Sequence, residues 1–544
     1  VTTINVPGLP SSRRTPGVYL AVILGGVATS AAAATKSILL LGNRISSALV
    51  GSAPVFSVPA GTRGNASPVA LYSADDALTL FGQGSELHRM ALRVFSQYPD
   101  ATVTACAVAE SGGARATGVL AIAGSPTAAL EAFTLRFRLS DKVIDVPVST
   151  GDTGAVIAAA CADAILQEAN LPYTAQYAAV YSDGNLTLTA KHPGPRGNRL
   201  VVYASVVSSA GVETPVYLVT AGGTTYAGLN FGWSGVAATE STYRLTGGTT
   251  ADDFTAALAA VATQKFDRYA LACQDATNVD LVAAQLDSMA GVTTQKRQQY
   301  VAALDISLAT AITFAVDRND RRGQIVWHYN SPVPPEEVAA EMAAARLIGD
   351  ATAGGSLVGE ATDPACNLDG LELRDILQQT NVGEQPTATE IESALGNGLT
   401  PLAPSTLNPG KTTVVRSVTT CCRDANAQPN YANLDTTTVT VPDYVADDLQ
   451  SDLATVYRGK KISADSSDGS PPLSASVVTP NTIRDRIARK LKTYEESAIL
   501  TDVDANMSLL QVVLNGTVAG RVDCEIPCEP IPGLHITAGN VRQV

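Results

Sequence analysis

The chain has 544 residues, 45% of them hydrophobic and 16% charged, which is enough for roughly three or four domains with real cores. Lys and Arg number 37 against 51 Asp and Glu, a net charge of −14 that repels phosphate backbones and argues against direct nucleic-acid binding. Aromatic residues are only 5%, which favours thin sheets and small-residue helix packing over a large aromatic pocket.

The N-terminal stretch has two readings. Arg13-Arg14, the uncharged run 18–35 and Ala31-Ala32-Ala33-Ala34 imitate an export signal with a cleavage site. Pro16-Gly17 interrupts that pattern, and the β-rich 18–24 fits a strand-forming arm better. The uncharged run is at the short limit for a membrane span and carries Gly25, Gly26, Thr29 and Ser30, so no membrane insertion is expected. A short strand is expected at 37–41, a helical segment within 73–97 and a buried strand at 101–109.

The pattern changes over about 118–250. Residues 133–137 and 142–148 alternate like a hairpin, and Asp152 is placed to cap a helix running to 168. Asp183-Gly184-Asn185 reads as a hairpin turn, Lys191 to Asn198 as a loop and 200–207 as a strand, together a small α+β insertion. From 252 to 349 helices and strands alternate regularly. This predicts crossover connections and a mostly parallel sheet, shared with the strands of 37–109. Residues 350–410 read as loops, 411–420 and 436–441 as strands, and 442–457 and 480–497 as helices. Residues 509–514 and 517–525 form a hairpin around Asn515-Gly516, and 535–544 leaves as an extended tail.

Chemical motifs fail on detail. Gly410-Lys411-Thr412 resembles the end of a phosphate loop, but the required earlier glycine is Ser405, Pro409 removes an amide and a strand follows. Asp502, Asp504 and Asn506 open like a calcium loop, yet its twelfth position is Val513. His88, His192, His328 and His535 have no metal-ligand spacing, and no Gly-x-Ser-x-Gly elbow exists. Neither a cofactor nor an enzymatic activity is expected. The eight cysteines read as reduced structural thiols, with a Cys524–Cys528 bridge left open.

One charge cluster stands out. Ile483, Ile487, Leu491 and Tyr494 form a buried helical stripe, and Arg484, Arg486, Arg489, Lys490 and Lys492 cover the remaining face. It is either a solvated face or a docking surface for an acidic partner.

The order of these features resembles the contractile tail sheath proteins of bacteriophages, most like the Mu-like myophage sheaths. It runs from Pro16-Gly17-Val18-Tyr19 through Leu80-Phe81-Gly82-Gln83-Gly84-Ser85, Gly151-Asp152-Thr153 and Leu188-Thr189-Ala190-Lys191-His192 to Leu245-Thr246-Gly247-Gly248-Thr249-Thr250. The resemblance implies a multidomain α/β and α+β fold. Its parts are an N-terminal linking arm (1–24), a mixed or parallel α/β core (25–117 and 251–405), an outward α+β insertion domain (118–250), a C-terminal α+β inner domain (406–534) and a C-terminal linking arm (535–544). It implies that the arms, with Val18, Tyr19, Leu20, His535, Ile536 and Thr537, exchange strands between subunits. The receiving hairpin would carry Leu510, Val512, Leu514, Val518 and Val522, and the five basic residues would face a tail tube. The implied partners are further copies in stacked hexameric rings, the tube protein, and baseplate and tail-terminator proteins. The implied place is the virion tail, with assembly in the host cytoplasm. The rival readings are an exported surface-layer or adhesin protein, and a hydrolase with a triad assembled from distant residues.

Overall fold

The computed structural model describes residues 28–29, 36–47, 49–50, 57–124, 128–168, 170–239, 242–348, 351–352, 355–356, 363–379, 381–466, 474–536 and 538. A nine-stranded sheet organises the chain. Its order is Glu372–Leu377, Lys411–Val414, Thr400–Pro404, Gly323–Trp327, Gln299–Leu304, Arg268–Leu271, Ser37–Asn43, Thr102–Val108 and Val69–Leu71. The six strands from Thr400–Pro404 to Thr102–Val108 run parallel, and antiparallel strands close both sides. Strands buried on both faces need apolar residues at every position, and Ser37-Ile-Leu-Leu-Leu supplies them. Ile38 and Leu40 pack into one core with Met90 and Val94 and the Pro335–Ile348 helix. Leu39 and Leu41 pack into another with the helices Thr255–Val261, Ala276–Met289 and Leu308–Arg318. The shared parallel sheet expected from the alternation is therefore present, with helices on both faces.

Between Val108 and Arg268 the chain builds two antiparallel sheets around one apolar core. The first is ordered Tyr173–Val180, Asp183–Pro193, Arg115–Gly124, Leu229–Ser234, Thr224–Tyr226. The second joins Val236–Thr239, Thr242–Leu245, Val201–Val207, Phe133–Leu139 and Lys142–Val148. Phe133 meets Tyr226 and Phe231 edge to face across the gap, at centroid distances of 5.3 and 5.8 Å. The helix Gly154–Gln167 lies so close to this core that a Cβ on Gly184 would sit 2.3 Å from the Gly154 carbonyl oxygen. Thr153, not Asp152, caps that helix, its hydroxyl accepting from the Val156 N–H. The hairpin turn also falls earlier than Asp183-Gly184-Asn185. Val180 pairs with Asp183, so the loop is Tyr181-Ser182, with Tyr181 in the left-handed region at φ 57°.

The C-terminal unit is led by two helices, Thr437–Val456 and Pro480–Glu496. Residues 436–441, expected as a strand, open the first of these. Its β-branched run is held helical because Val441, Val445, Leu449 and Leu453 recur every fourth residue into the core, and Pro442 is carried inside the helix. Of the strand expected at 411–420, only Lys411–Val414 is extended. The loops expected over 350–410 contain the strands Glu372–Leu377 and Thr400–Pro404. They also contain the helix Ala388–Leu395, whose capping box pairs Thr387 with Glu390. Among the described residues no helix is long and apolar enough to cross a membrane.

Candidate assembly interface

Both ends of the described chain converge on the C-terminal unit. Ala28–Thr29 pairs antiparallel with Ile499–Leu500, and Leu500 bridges onward to Pro530 while the Thr501 N–H donates to Glu529. The segment following the expected N-terminal arm is thus bonded within its own chain. Val18, Tyr19, Leu20 and Thr537 lie outside the described residues.

The hairpin expected at 509–525 is present with narrower strands, Gln511–Leu514 against Val522–Glu525. Val512 and Leu514 pair with Cys524 and Val522, and Leu510 is buried in the core just before the first strand. Val518 is not on a strand. Asn515 accepts from the Thr517 and Val518 N–H groups at 2.9 and 2.8 Å, which widens the turn to 515–521. Asn-Gly suggested a two-residue loop, but the Asn side chain folds the following residues into a longer one. Among the described residues the hairpin pairs with no other strand.

The tail does not leave the molecule at His535. Nδ1 of His535 lies 2.6 Å from Asp369 Oδ2, and Nε2 lies 3.7 Å from Asp435 Oδ2. Its neighbours Leu534 and Ile536 point outward, 78% and 81% exposed.

The basic helix buries Ile483, Ile487, Leu491 and Tyr494 as the stripe required. Most of its charges are engaged internally. Arg486 grips Asp452 with two hydrogen bonds of 2.8 and 2.5 Å, and Lys490 reaches Asp448 at 2.7 Å. Lys492 pairs with Asp504, and Arg484 donates to the Leu510 carbonyl at 3.3 Å. The partners of Arg486 and Lys490 come from the Thr437–Val456 helix, which carries two rows of acids. Asp448 and Asp452 face the basic helix, while Asp443 and Asp447 face the α/β core. There Arg322 clamps Asp443 at 2.6 and 3.1 Å, and Lys265 meets Asp447 at 2.5 Å. The row facing the basic helix was visible in the sequence as Asp448 and Asp452, four residues apart, and it supplies the intramolecular partners of Lys490 and Arg486.

Arg489 is the exception: it is exposed, without an ion pair among the described residues. Arg458, Lys460 and Lys461, at the end of the preceding helix, are likewise exposed and unpaired. Tyr457 donates to the Thr482 carbonyl at 3.1 Å, which brings this loop beside the basic helix. Burial raises the Tyr457 pKa against the pull of Arg486 and Arg489, so the Arg489 charge acts at that same junction, with the exposed Asp485 at its rim. Arg458-Gly459-Lys460-Lys461 was legible as a basic turn, and only the fold shows that it adjoins Arg489.

A second polar assembly bolts the insertion to the core. Glu86 accepts from the Asn43 N–H and from Arg196, both at 2.9 Å, and Arg196 also bonds Asp252. His192, expected in a loop, closes a strand and is buried. Its Nε2 accepts from the Glu86 N–H, and its Nδ1 is 2.7 Å from Glu110. Nearby, Arg89 joins Glu336 and Glu337, and Arg244 holds Asp305 at 2.5 and 2.9 Å. Lys191 donates to the Gln83 carbonyl, and burial lowers its pKa to about 7. Glu86, Arg89, Lys191, His192, Arg196 and Glu336 together line one small cavity at this junction.

The remaining motifs settle into structural roles. Lys411 begins a strand and bonds the Arg374 carbonyl. His88 accepts from the Gly84 N–H at 3.0 Å, and burial lowers the pKa of His88 and of His328 to about 4. All eight cysteines are free, and burial pushes both Cys524 and Cys528 up to about 12.

No protein-family model and no curated protein matches the chain. Among solved structures, it is similar to a sheath tail protein from Desulfitobacterium hafniense, at 13% identity and TM-score 0.42 over 91% of this chain and 93% of that one. It is similar to a second sheath tail protein, from Listeria innocua, at 13% identity and TM-score 0.42 over 90% of each chain. The D2–D3 domains of the flagellar cap protein FliD from Escherichia coli match 27% of this chain and 90% of theirs, at 14% identity and TM-score 0.12.

Proposed function

We propose that the chain is a structural, non-catalytic subunit of a contractile tail sheath of the Mu-like type. In this reading it polymerises as stacked hexameric rings around a tail tube in a virion tail, after assembly in the host cytoplasm. Contraction then drives the tube through the bacterial envelope, and baseplate and terminator proteins bound the stack.

The observation that carries this reading is the two-stranded hairpin Gln511–Leu514/Val522–Glu525, which pairs with no other strand among the described residues. An isolated two-stranded ribbon is marginal in water, and open edges invite pairing by another chain. A subunit that receives strands from its neighbours uses such a ribbon as a junction. The tube-facing role is narrowed from five residues to the exposed cations Arg489, Arg458, Lys460 and Lys461. Arg484, Arg486, Lys490 and Lys492 hold the C-terminal unit together instead. Energy for contraction resides in the packing of a metastable lattice and requires no nucleotide.

The test is a proline at Val513 in the hairpin, compared with Val513→Ala, which keeps the backbone N–H. The chains are purified, concentrated and imaged by electron microscopy. Val513→Pro should leave dispersed subunits where the parent and Val513→Ala chains form tubes. Tubes of normal length from Val513→Pro would reject the junction.

A further inference from the structure

We propose that His535 is a positioning residue: its imidazolium, held between Asp369 and Asp435, clamps the C-terminal tail to the body of the chain and fixes Leu534 and Ile536 outward. The clamp gathers three segments far apart in sequence. Asp369 lies in the loop before the Glu372–Leu377 strand, and Asp435 lies just before the Thr437–Val456 helix. His535 reaches Asp369 at 2.6 Å and Asp435 at 3.7 Å. Asn367 donates to the Leu534 carbonyl at 3.4 Å. Gly533 allows this approach, since a Cβ there would lie 3.0 Å from His535 Cε1 and 3.2 Å from Asn367 Cγ.

The charge balance requires the imidazolium. Asp435 is already held by Arg416 through two 2.8 Å bonds. Among the described residues, Asp369 has no cation other than His535 within ion-pair distance, and its Oδ1 is buried without a hydrogen-bond partner. The Ser417 and Thr436 hydroxyls that face the site are 3.0 Å apart and bond each other, and Cys366 also lines it. A neutral imidazole would therefore leave Asp369 uncompensated in a half-buried site. The hydrogen bond to Asp369, and then the Asp435 carboxylate on the other side of the ring, raise the His535 pKa to about 9, above its ordinary 6.5. The clamp is thus complete below about pH 6.5 and is lost as pH rises through about 9. Alternation along the tail then turns Leu534 and Ile536 to solvent while His535 faces inward.

This inference concerns contacts within one chain and stands or falls separately from the assembly reading. Two measurements on the full chain test it. The histidines, four in all, are isotopically labelled and titrated by NMR, with His535 assigned from its Gln variant. Amide exchange is followed in peptides covering 529–536, corrected for intrinsic rate. His535 should titrate near 9 in the parent chain and fall toward 6.5 in Asp369→Asn. His535→Gln should speed tail exchange at pH 7 on the order of tenfold, the size of one charge-assisted hydrogen bond. His535 titrating near 6.5 in the parent chain, or unchanged exchange in His535→Gln, would overturn the clamp.

Discussion

Asp443 and Asp452 lie on one helix, yet their removal should have very different costs. Asp443 is buried, gripped by the buried Arg322 at 2.6 and 3.1 Å, with Arg297 Nε a further 4.0 Å away. Asp443→Ala leaves the buried Arg322 guanidinium without its carboxylate, which costs about 3–5 kcal/mol. Asp452 pairs with Arg486, whose side chain is 35% exposed and hydrates freely when released. Asp452→Ala should cost about 0.2–1 kcal/mol. A tenfold change in equilibrium corresponds to about 1.4 kcal/mol, so opening of this helix should rise at least about a hundredfold in the first variant and about fivefold or less in the second. A chain of this size has several cooperative units, so the assay is native-state amide exchange across 437–456 rather than one global transition. Replacing both partners, as Arg322→Met with Asp443→Leu, should recover most of the loss. Equal opening in Asp443→Ala and Asp452→Ala would refute the reasoning, as would a double variant no better than Asp443→Ala.

Three further outcomes follow from the packing. Gly184→Ala places a methyl against the Gly154 carbonyl and should lower the melting temperature of the insertion while leaving exchange in the nine-stranded sheet unchanged; calorimetry with amide exchange checks both. Cys524 and Cys528, raised to about 12 by burial, should resist alkylation at pH 8 in the folded chain and react fully in denaturant, as counted by mass spectrometry. His88 and His328, lowered to about 4 by burial, favour the fold above pH 6.5 and lose that contribution as pH falls toward 4; His328→Gln should flatten the acid limb of a stability–pH curve.

Local pattern revealed the parallel centre of the sheet, and it missed Val69–Leu71, Glu372–Leu377 and Thr400–Pro404. Ile38 to Leu41, buried on both faces, announces a central strand, and the alternation from 252 to 349 announces crossovers. The reading failed where tertiary contacts overrode local preference. Thr437 to Val441 has the composition of a strand, but its position before Val445, Leu449 and Leu453 makes it the first turn of a helix. The Thr387-to-Glu390 capping box was present within the stretch read as loop, and Gly and Pro around it obscured it.

The candidate interface was legible in composition and not in pairing. Five basic residues on one helix suggested a partner, and four of them find theirs within the chain. Asp448 and Asp452, four residues apart, share a helix face by periodicity, but that this face packs against the basic helix and so decides which cations remain free is a tertiary fact. The His535 clamp was less accessible still, since both of its carboxylates lie far upstream, Asp369 by 166 residues and Asp435 just before the Thr437–Val456 helix.

The most direct measurement is electron microscopy of the purified full chain as its concentration is raised. The account predicts hollow tubes built of stacked rings with six-fold symmetry. Dispersed subunits at every concentration, or flat two-dimensional lattices of the kind a surface layer forms, would contradict it.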